Sequence, residues 1–312
     1  FNKSLQEAAM ILYGRLSYET GNTDEALRQL KTLLEVYPNS GHKDEAQTLL
    51  SGLTMKTGNY EEALDRLQGV RTKDNNYWSV YQKAAYGYGV QLYRKGEMKK
   101  AEEYFALSLQ NPLNSEYERA AYFWRAEAAY QLHHYTDAIN YAQNFISRMG
   151  NMAVIERLSP QSTIQHAYLT MGYSALETGN YIAAQDFFNQ AQLARSGDKH
   201  TGNVALLLEA DAVFLQKNYT KAISLYERII AGGGTDVDYA KFQKAILLGL
   251  TNRQNEKISL LQSLTKVKPA SLYAGNAQYE IALTHMEMEH YKDALAALKV
   301  ITESESDKGI AP

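Results

Sequence analysis

Few side chains are placed to support catalysis or to bind a metal ion. The chain has no cysteine, which excludes thiol catalysis, disulfides, Cys-zinc sites and iron–sulfur clusters. His133 and His134 are adjacent in a predicted turn, and His285 is predicted to be a core histidine. Paired carboxylates such as Glu61 and Glu62 recur at predicted helix starts, where acidic residues are structurally favoured. The sequence therefore predicts no enzymatic activity, no cofactor and no metal site.

Phosphate-bearing ligands are disfavoured by charge and by motif. The 32 basic and 35 acidic residues give a net charge of −3, so no excess of positive charge is available for a nucleic-acid backbone. The glycines at 232–234 lack the Lys-Ser/Thr of a phosphate-binding loop. They are predicted to end a helix, with Asp236 in the N-cap region of the next. Because neither the charge nor the motifs suit phosphate groups, we expect no nucleic-acid partner. No 18 consecutive residues are apolar, so we also expect no transmembrane segment.

Aromatic recognition is the chemistry that this composition favours, because the chain contains 24 tyrosines. Tyrosine offers a large, rigid and amphipathic contact surface. One group recurs at predicted turns, where the rings are expected to pack helix pairs: Tyr60, Tyr135, Tyr181, Tyr219 and Tyr291. A second group recurs on the helices that precede those turns. These tyrosines are the candidates for binding a ligand.

A pattern repeated eight times predicts the elements that carry the tyrosines. Each repeat has a helical stretch, a short turn and a second helical stretch. A small residue recurs at one matching position of every first stretch: Gly14, Ser51, Gly89, Ala126, Gly172, Ala210, Ala245 and Ala282. Twelve positions later come Ala26, Ala63, Ala101, Ala138, Ala184, Ala222, Lys257 and Ala294. Small residues at this spacing predict antiparallel helices that approach closely.

The ends of the predicted helices carry matching signals. The turns are predicted to begin at Gly21, Gly58, Gly96, His133, Gly179, Lys217, Asn252 and Glu289. Glycine and asparagine tolerate the left-handed backbone that closes a helix. Pro38, Pro112 and Pro269 follow predicted second helices, where a proline prevents continuation.

The array resembles the tetratricopeptide repeat family, whose helix–turn–helix repeat of about 34 residues has small, aromatic and alanine positions at fixed offsets. The resemblance implies an all-α fold, a right-handed superhelical solenoid of antiparallel helix pairs. The signature tryptophan is missing, with Met10, Gln47 and Ala85 among its replacements. Repeats that end in Pro-Asn-Ser, as at Pro38, are similar to those of bacterial envelope proteins.

We expect residues 1–312 to form one solenoid. Its repeats are predicted at about 7–40, 44–77, 82–115, 119–150, 165–198, 203–236, 238–271 and 275–308. An insertion at 147–164, which contains Gly150, is predicted to be a longer loop or a stretched helix pair. Since Phe1 precedes a predicted helix and the last repeat ends on apolar residues, we expect a longer native chain or self-association through the end repeats.

The resemblance also implies where a ligand binds. In the tetratricopeptide repeat family the first helices line a concave groove that takes extended peptides or partner helices. Carried over by position to repeats three to five, the groove residues are Lys83, Tyr86, Tyr93, Arg94, Phe123, Tyr130, His166 and Tyr173. The Lys and Asn pattern with which some members grip a C-terminal carboxylate is missing at the matching positions. Alternatively, some of these rings only pack between neighbouring first helices.

The predicted function is a non-catalytic protein–protein interaction scaffold that binds a peptide or a partner protein in its groove. The alternative is a carbohydrate-binding or outer-membrane assembly component of a bacterial cell envelope, since aromatic faces stack on sugars. The absence of cysteine fits the cytoplasm and the periplasm equally. The similarity to envelope proteins favours a periplasmic or envelope-associated location.

Overall fold

The computed structural model describes residues 2–148, 152–194, 198–266 and 271–306, and within these ranges it contains helices and no strand. The helices are α1 (Lys3–Glu19), α2 (Thr23–Val36), α3 (Lys43–Lys56), α4 (Tyr60–Gln68), α5 (Asn75–Arg94), α6 (Met98–Ser108), α7 (Ser115–Gln131), α8 (Tyr135–Ser147), α9 (Met152–Leu158), α10 (Ile164–Glu177), α11 (Tyr181–Leu193), α12 (Lys199–Leu215), α13 (Tyr219–Gly232), α14 (Val237–Leu250), α15 (Gln254–Thr265), α16 (Ala274–Glu287) and α17 (Tyr291–Ser306). The predicted all-α fold is confirmed. None of the helices described is both long enough and apolar enough to span a bilayer.

Tight turns with left-handed backbone separate the helices of each predicted pair. All eight residues predicted to begin a turn have positive φ, four of them glycine and four not. Several turns close with a hydrogen bond to the carbonyl five residues back, as from Asn22 N to Ser17 O (2.8 Å) and from His290 N to His285 O (2.8 Å). This bond satisfies a carbonyl at the end of the first helix. The turn predictions are confirmed.

The small residue of the first helix makes room for a large residue of the second. A Cβ atom on Gly14 would lie 2.7 Å from Cδ2 of Leu30 in α2. A Cβ atom on Gly89 of α5 would lie 2.7 Å from Cε1 of Phe105 in α6. Both distances are too short for a carbon–carbon contact, so glycine is required for this packing.

Second helices also bury apolar residues against the following pair. Leu30 and Leu33 of α2 lie in one core cluster with Ala46 and Leu50 of α3. In a second cluster, residues of α15 pack with α16, among them Leu261 with Ile281. The core is therefore built between successive neighbours along the chain.

The insertion contains a helix. α9 contacts α7, and Ile155 of α9 is fully buried. Beyond α9, Ser159 Oγ accepts a hydrogen bond from Trp124 Nε1 of α7 (2.9 Å). The expected long loop is thus partly a helix that covers α7. Pro38 and Pro112 follow the ends of α2 and α6 as predicted, while Gly150 and Pro269 lie outside the described residues.

The chain divides into two compact units. Residues 1–174 form the N-terminal unit and residues 175–312 the C-terminal unit. Each unit is made of the helix pairs described above, and α10 spans the division. The single continuous solenoid remains a prediction.

Candidate functional site

A pocket of about 550 Å³ opens in the N-terminal unit. The end of α3, the turn before α4, the second half of α5, parts of α7 and the segment after α9 enclose it. Its lining residues are Met55, Lys56, Gly58, Tyr60, Lys83, Tyr86, Gly87, Val90, Gln91, Arg94, Tyr117, Trp124, Leu158, Ser159, Pro160 and Gln161. We call it the basic pocket, because it contains three basic residues and no Asp or Glu.

The three basic side chains are free of carboxylate partners. Within the described ranges, Lys56, Lys83 and Arg94 form no ion pair. Lys83 Nζ lies 5.9 Å from the ring centre of Tyr117, and Lys56 Nζ lies 4.5 Å from that of Tyr18. Uncompensated cations around a concavity produce a positive potential that attracts anionic groups.

Aromatic rings form the walls of the basic pocket. Tyr86 is 4% exposed and meets the ring of Tyr117 edge-on at 5.3 Å. Its buried hydroxyl lies near Trp124 and Ser159 and makes no hydrogen bond of ordinary geometry. Burial raises the pKa of Tyr86 far above its ordinary value, so the hydroxyl is neutral. Gly87 leaves space for the ring of Tyr60 against α5.

Three of the eight predicted site residues meet in this pocket, namely Lys83, Tyr86 and Arg94. All three lie on α5, at spacings of three and eight residues. The helical period places them along the same side of α5.

Two other predicted site residues have packing roles. Phe123 is 2% exposed, and its ring lies 5.4 Å from that of Phe145. It is a core residue, because α8 covers it, and not the groove residue that the sequence predicts. Tyr93 is half-buried, and its ring lies 4.9 Å from that of Trp124. The contact of Tyr93 fits the alternative interpretation, packing between neighbouring first helices, whereas Phe123 packs onto the second helix of its own pair.

The remaining three predicted residues, Tyr130, His166 and Tyr173, do not line the pocket. The rings of Tyr130 and Tyr173 lie 6.1 Å apart and join α7 to α10. His166 Nδ1 is 2.8 Å from Thr163 Oγ1, which also accepts a hydrogen bond from the His166 backbone N. All three are half-buried, and their part in binding stays a prediction.

Sequence reasoning missed several pocket residues. Tyr60 is predicted only to pack its turn, Lys56 belongs to the preceding repeat, and Tyr117 falls between two predicted repeats. The segment 159–161 comes from the insertion. The signal for that segment is the insertion itself, because an addition to a regular array must cover or extend one of its faces. Trp124 could have been found as one of only two tryptophans in the chain.

Glu127 of α7 is a half-buried residue whose carboxyl group is withdrawn from water. It accepts a hydrogen bond from Thr170 Oγ1. Burial raises its pKa above the ordinary value of 4.5, although the hydrogen bond from Thr170 acts in the opposite direction. The folded chain therefore binds this proton more tightly than the unfolded chain does. Ionisation of Glu127 costs stability as the pH rises above 4.5.

We expect Glu127→Gln to become more stable relative to the natural chain as the pH rises from acidic to mildly alkaline values. Glutamine keeps an oxygen that accepts from Thr170 and cannot ionise, so the cost described above disappears. Urea unfolding, followed by tryptophan fluorescence at several pH values, measures the difference. A difference that is constant with pH would contradict the assignment. Exposed Glu103→Gln is the control, with no such trend expected.

Sequence comparison finds two family models that match this chain. Residues 8–40 match one tetratricopeptide repeat model, and residues 53–114 and 169–237 match a second. Together the matched segments cover more than half of the chain. No curated protein sequence matches it.

Similar solved structures share its fold at low sequence identity. A structure of Naa15/Naa10 bound to HypK-THB has a TM-score of 0.53 at 14% identity, covering 94% of this chain and 39% of that one. The C-terminal part of a TPR repeat-containing protein from Cytophaga hutchinsonii has a TM-score of 0.50 at 16% identity, covering 86% and 98% of the two chains. YrrB, described as a TPR protein with an unusual peptide-binding site, has a TM-score of 0.46 at 17% identity, covering 65% and 93%.

Proposed function

The chain belongs to the tetratricopeptide repeat family, whose members are generally non-catalytic scaffolds for protein partners, and we propose that it binds an acidic peptide segment of a partner in the basic pocket. The observation that carries the proposal is the concentration of Lys56, Lys83 and Arg94, without any acidic residue, in one aromatic-walled concavity.

The size of the pocket suits part of a peptide. Pockets of about 300–1,000 Å³ enclose most of the surface of a small ligand, and 550 Å³ accommodates a few side chains. A folded partner would therefore insert an extended segment or a loop. The remaining first-helix surface would contact the rest of the partner.

Charge and aromatic contact have separate roles in this proposal. The three cations attract acidic groups and set the direction in which the peptide lies. Tyr60 and Tyr117 supply half-buried apolar faces against which the peptide's aliphatic or aromatic side chains pack. Because Tyr86 and Trp124 are already packed in place, the pocket needs little rearrangement to bind.

The test uses an array of immobilised short peptides that range from acidic to basic. We expect the natural chain to retain acidic peptides, and Lys83→Glu with Arg94→Glu to weaken the best of these by at least tenfold, since about 1.4 kcal/mol is lost for each factor of ten. The fold should survive, because neither side chain is buried or paired. Fluorescence of Trp124 in a Trp78→Phe background reports binding at the pocket itself.

Lys99→Glu with Lys100→Glu is the matched control. Both side chains are exposed at the start of α6, outside the pocket, and the double change alters net charge equally. We expect this variant to bind as the natural chain does. Equal weakening by both double variants would show that total charge, and not the pocket, governs binding, and retention of basic peptides would contradict the proposal.

A further inference from the structure

The last described helix pair, α16 and α17, brings two histidines and an aspartate together. One ring nitrogen of His285, one of His290 and a carboxylate oxygen of Asp293 all lie within 4.8 Å of one another. Across the part of the chain that is described, this is the one such group of three His, Asp or Glu residues. The group lies within the C-terminal unit and is separate from the basic pocket.

The turn between the helices fixes the positions of these residues. His285 occupies the last turn of α16, His290 directly precedes α17, and Asp293 is in its first turn. Glu289 has a φ of 61°, which reverses the chain and brings His290 back beside His285. Backbone hydrogen bonds from His290 N to His285 O (2.8 Å) and from Asp293 N to His290 O (3.1 Å) hold this arrangement.

The ring of His285 has a buried nitrogen without a hydrogen-bond partner among the described residues. This nitrogen is Nδ1, and its lack of a partner is unusual because buried polar atoms are nearly always paired. The ring centres of His285 and His290 are 6.0 Å apart. His290 and Asp293 are exposed, so their side chains are free to adjust towards His285.

We propose that His285, His290 and Asp293 bind a divalent transition-metal ion, with Zn²⁺ as the reference ion. Imidazole nitrogen with one carboxylate oxygen suits Zn²⁺ and its neighbours, whereas Mg²⁺ and Ca²⁺ prefer oxygen ligands only. Tetrahedral Zn²⁺ with bonds of about 2.0–2.1 Å places its ligand atoms about 3.3 Å apart. Small side-chain rotations of His290 and Asp293 close the observed separation of up to 4.8 Å to this value.

Three protein ligands leave the fourth position for a water molecule. Because the ligands come from both sides of one turn, the bound ion would fasten the end of α16 to the start of α17. An ion that binds only the folded arrangement stabilises it, and the stabilisation grows with the logarithm of the ratio of ion concentration to Kd. The site would then be a structural metal site that stabilises the packing of α16 against α17.

The turn between α7 and α8 provides a comparison inside the same chain. His134 and Asp137 repeat the spacing of His290 and Asp293 at the start of the second helix. The position that matches His285 is occupied there by Ala129, which offers no ligand. This turn therefore has two of the three residues and is expected not to bind the ion.

Titration calorimetry of the tag-free full chain with ZnCl₂ tests the proposal. We expect one equivalent to bind, and His290→Ala and Asp293→Ala each to weaken binding by at least tenfold. His134→Ala should bind as the natural chain does. Co²⁺, whose visible absorption intensifies in tetrahedral sites, should give that band only when His290 is present, and MgCl₂ should give no heat of binding.

Three outcomes overturn the proposal, and the first two concern the site itself. Either the natural chain binds no Zn²⁺, or His290→Ala binds with unchanged affinity. Circular dichroism of each variant shows whether it is folded, and since His290 and Asp293 are exposed, both variants are expected to fold. Equal weakening by His134→Ala would place the ion at the other turn and would also overturn it.

Discussion

Replacing Phe105 with alanine should lower the free energy of unfolding of the N-terminal unit by about 3–5 kcal/mol, the usual cost of deleting a large buried aromatic ring. Phe105 is completely buried, and its ring lies against Gly89 and 6.1 Å from the ring of Tyr86. The helices on both sides are held by their own pairs, so we expect the cavity to collapse only in part. Urea unfolding followed by tryptophan fluorescence is the measurement, since Trp78 and Trp124 both lie in this unit.

The same contact predicts that Gly89→Ala has opposite effects on stability with and without the ring of Phe105. In the natural chain Gly89→Ala should destabilise by about 1–3 kcal/mol, because its new methyl group would lie 2.7 Å from Phe105 Cε1. In the Phe105→Ala background the space is free. Alanine is then the better helix former by up to about 1 kcal/mol, and Gly89→Ala should stabilise.

Gly275 supplies the control for helix propensity alone. It is an exposed glycine near the start of α16, and a Cβ atom added to it meets nothing within 4 Å. Gly275 lies in the C-terminal unit, so its variant is followed by circular dichroism, which reports both units, and Gly275→Ala should leave stability unchanged or raise it in either background. If Gly89→Ala destabilises equally with and without Phe105, then the contact between α5 and α6 does not explain the glycine.

The helix pairs were predictable because their determinants are local. The residue with left-handed backbone at each turn, and the small residue where the two helices of a pair approach closely, recur at fixed spacing in the sequence. His133, Lys217 and Glu289 show the strength of this signal, because position in the repeat predicted their turns where residue type alone would not. The insertion was predicted less well, since α9 is short and breaks the periodicity.

The candidate site was harder to predict because it joins residues from distant parts of the sequence. Periodicity placed Lys83, Tyr86 and Arg94 on one side of α5. It could not show that α8 covers Phe123, or that Trp124 turns towards Ser159. Those outcomes depend on how neighbouring helices and the insertion pack, which the pattern of a single repeat does not encode.

Lys257 is a departure from the repeat that the structure explains. It replaces the alanine of the second helix, and its side chain is 8% exposed and paired with Glu280 of α16 at 2.8 Å. A Cβ atom on Gly249 would lie 3.0 Å from Cδ of Lys257. The other repeats have a large residue at the position of Gly249, as in Tyr93 or Phe214. A small residue on α14 therefore accommodates the long side chain on α15.

Removing the carboxylate from this pair should cost more than removing the lysine. We expect Glu280→Ala to destabilise α15 and α16 by about 2 kcal/mol. This value lies between the contribution of an exposed ion pair, up to about 1 kcal/mol, and the cost of breaking a buried one, about 3–5 kcal/mol. It leaves the Lys257 ammonium buried without a partner. Lys257→Met should cost less, because the Glu280 side chain is 24% exposed and reaches water.

Combining the two changes separates the charge effect from packing. Lys257→Met fills much of the same space as the lysine stem and has no charge, so the double variant with Glu280→Ala should regain most of the stability lost by Glu280→Ala alone. Hydrogen exchange of the amides in α15 and α16 measures the local free energy of opening. Equal losses from the two single changes, or additive losses in the double variant, would mean that the ammonium of Lys257 is solvated and that the pair behaves as a surface ion pair.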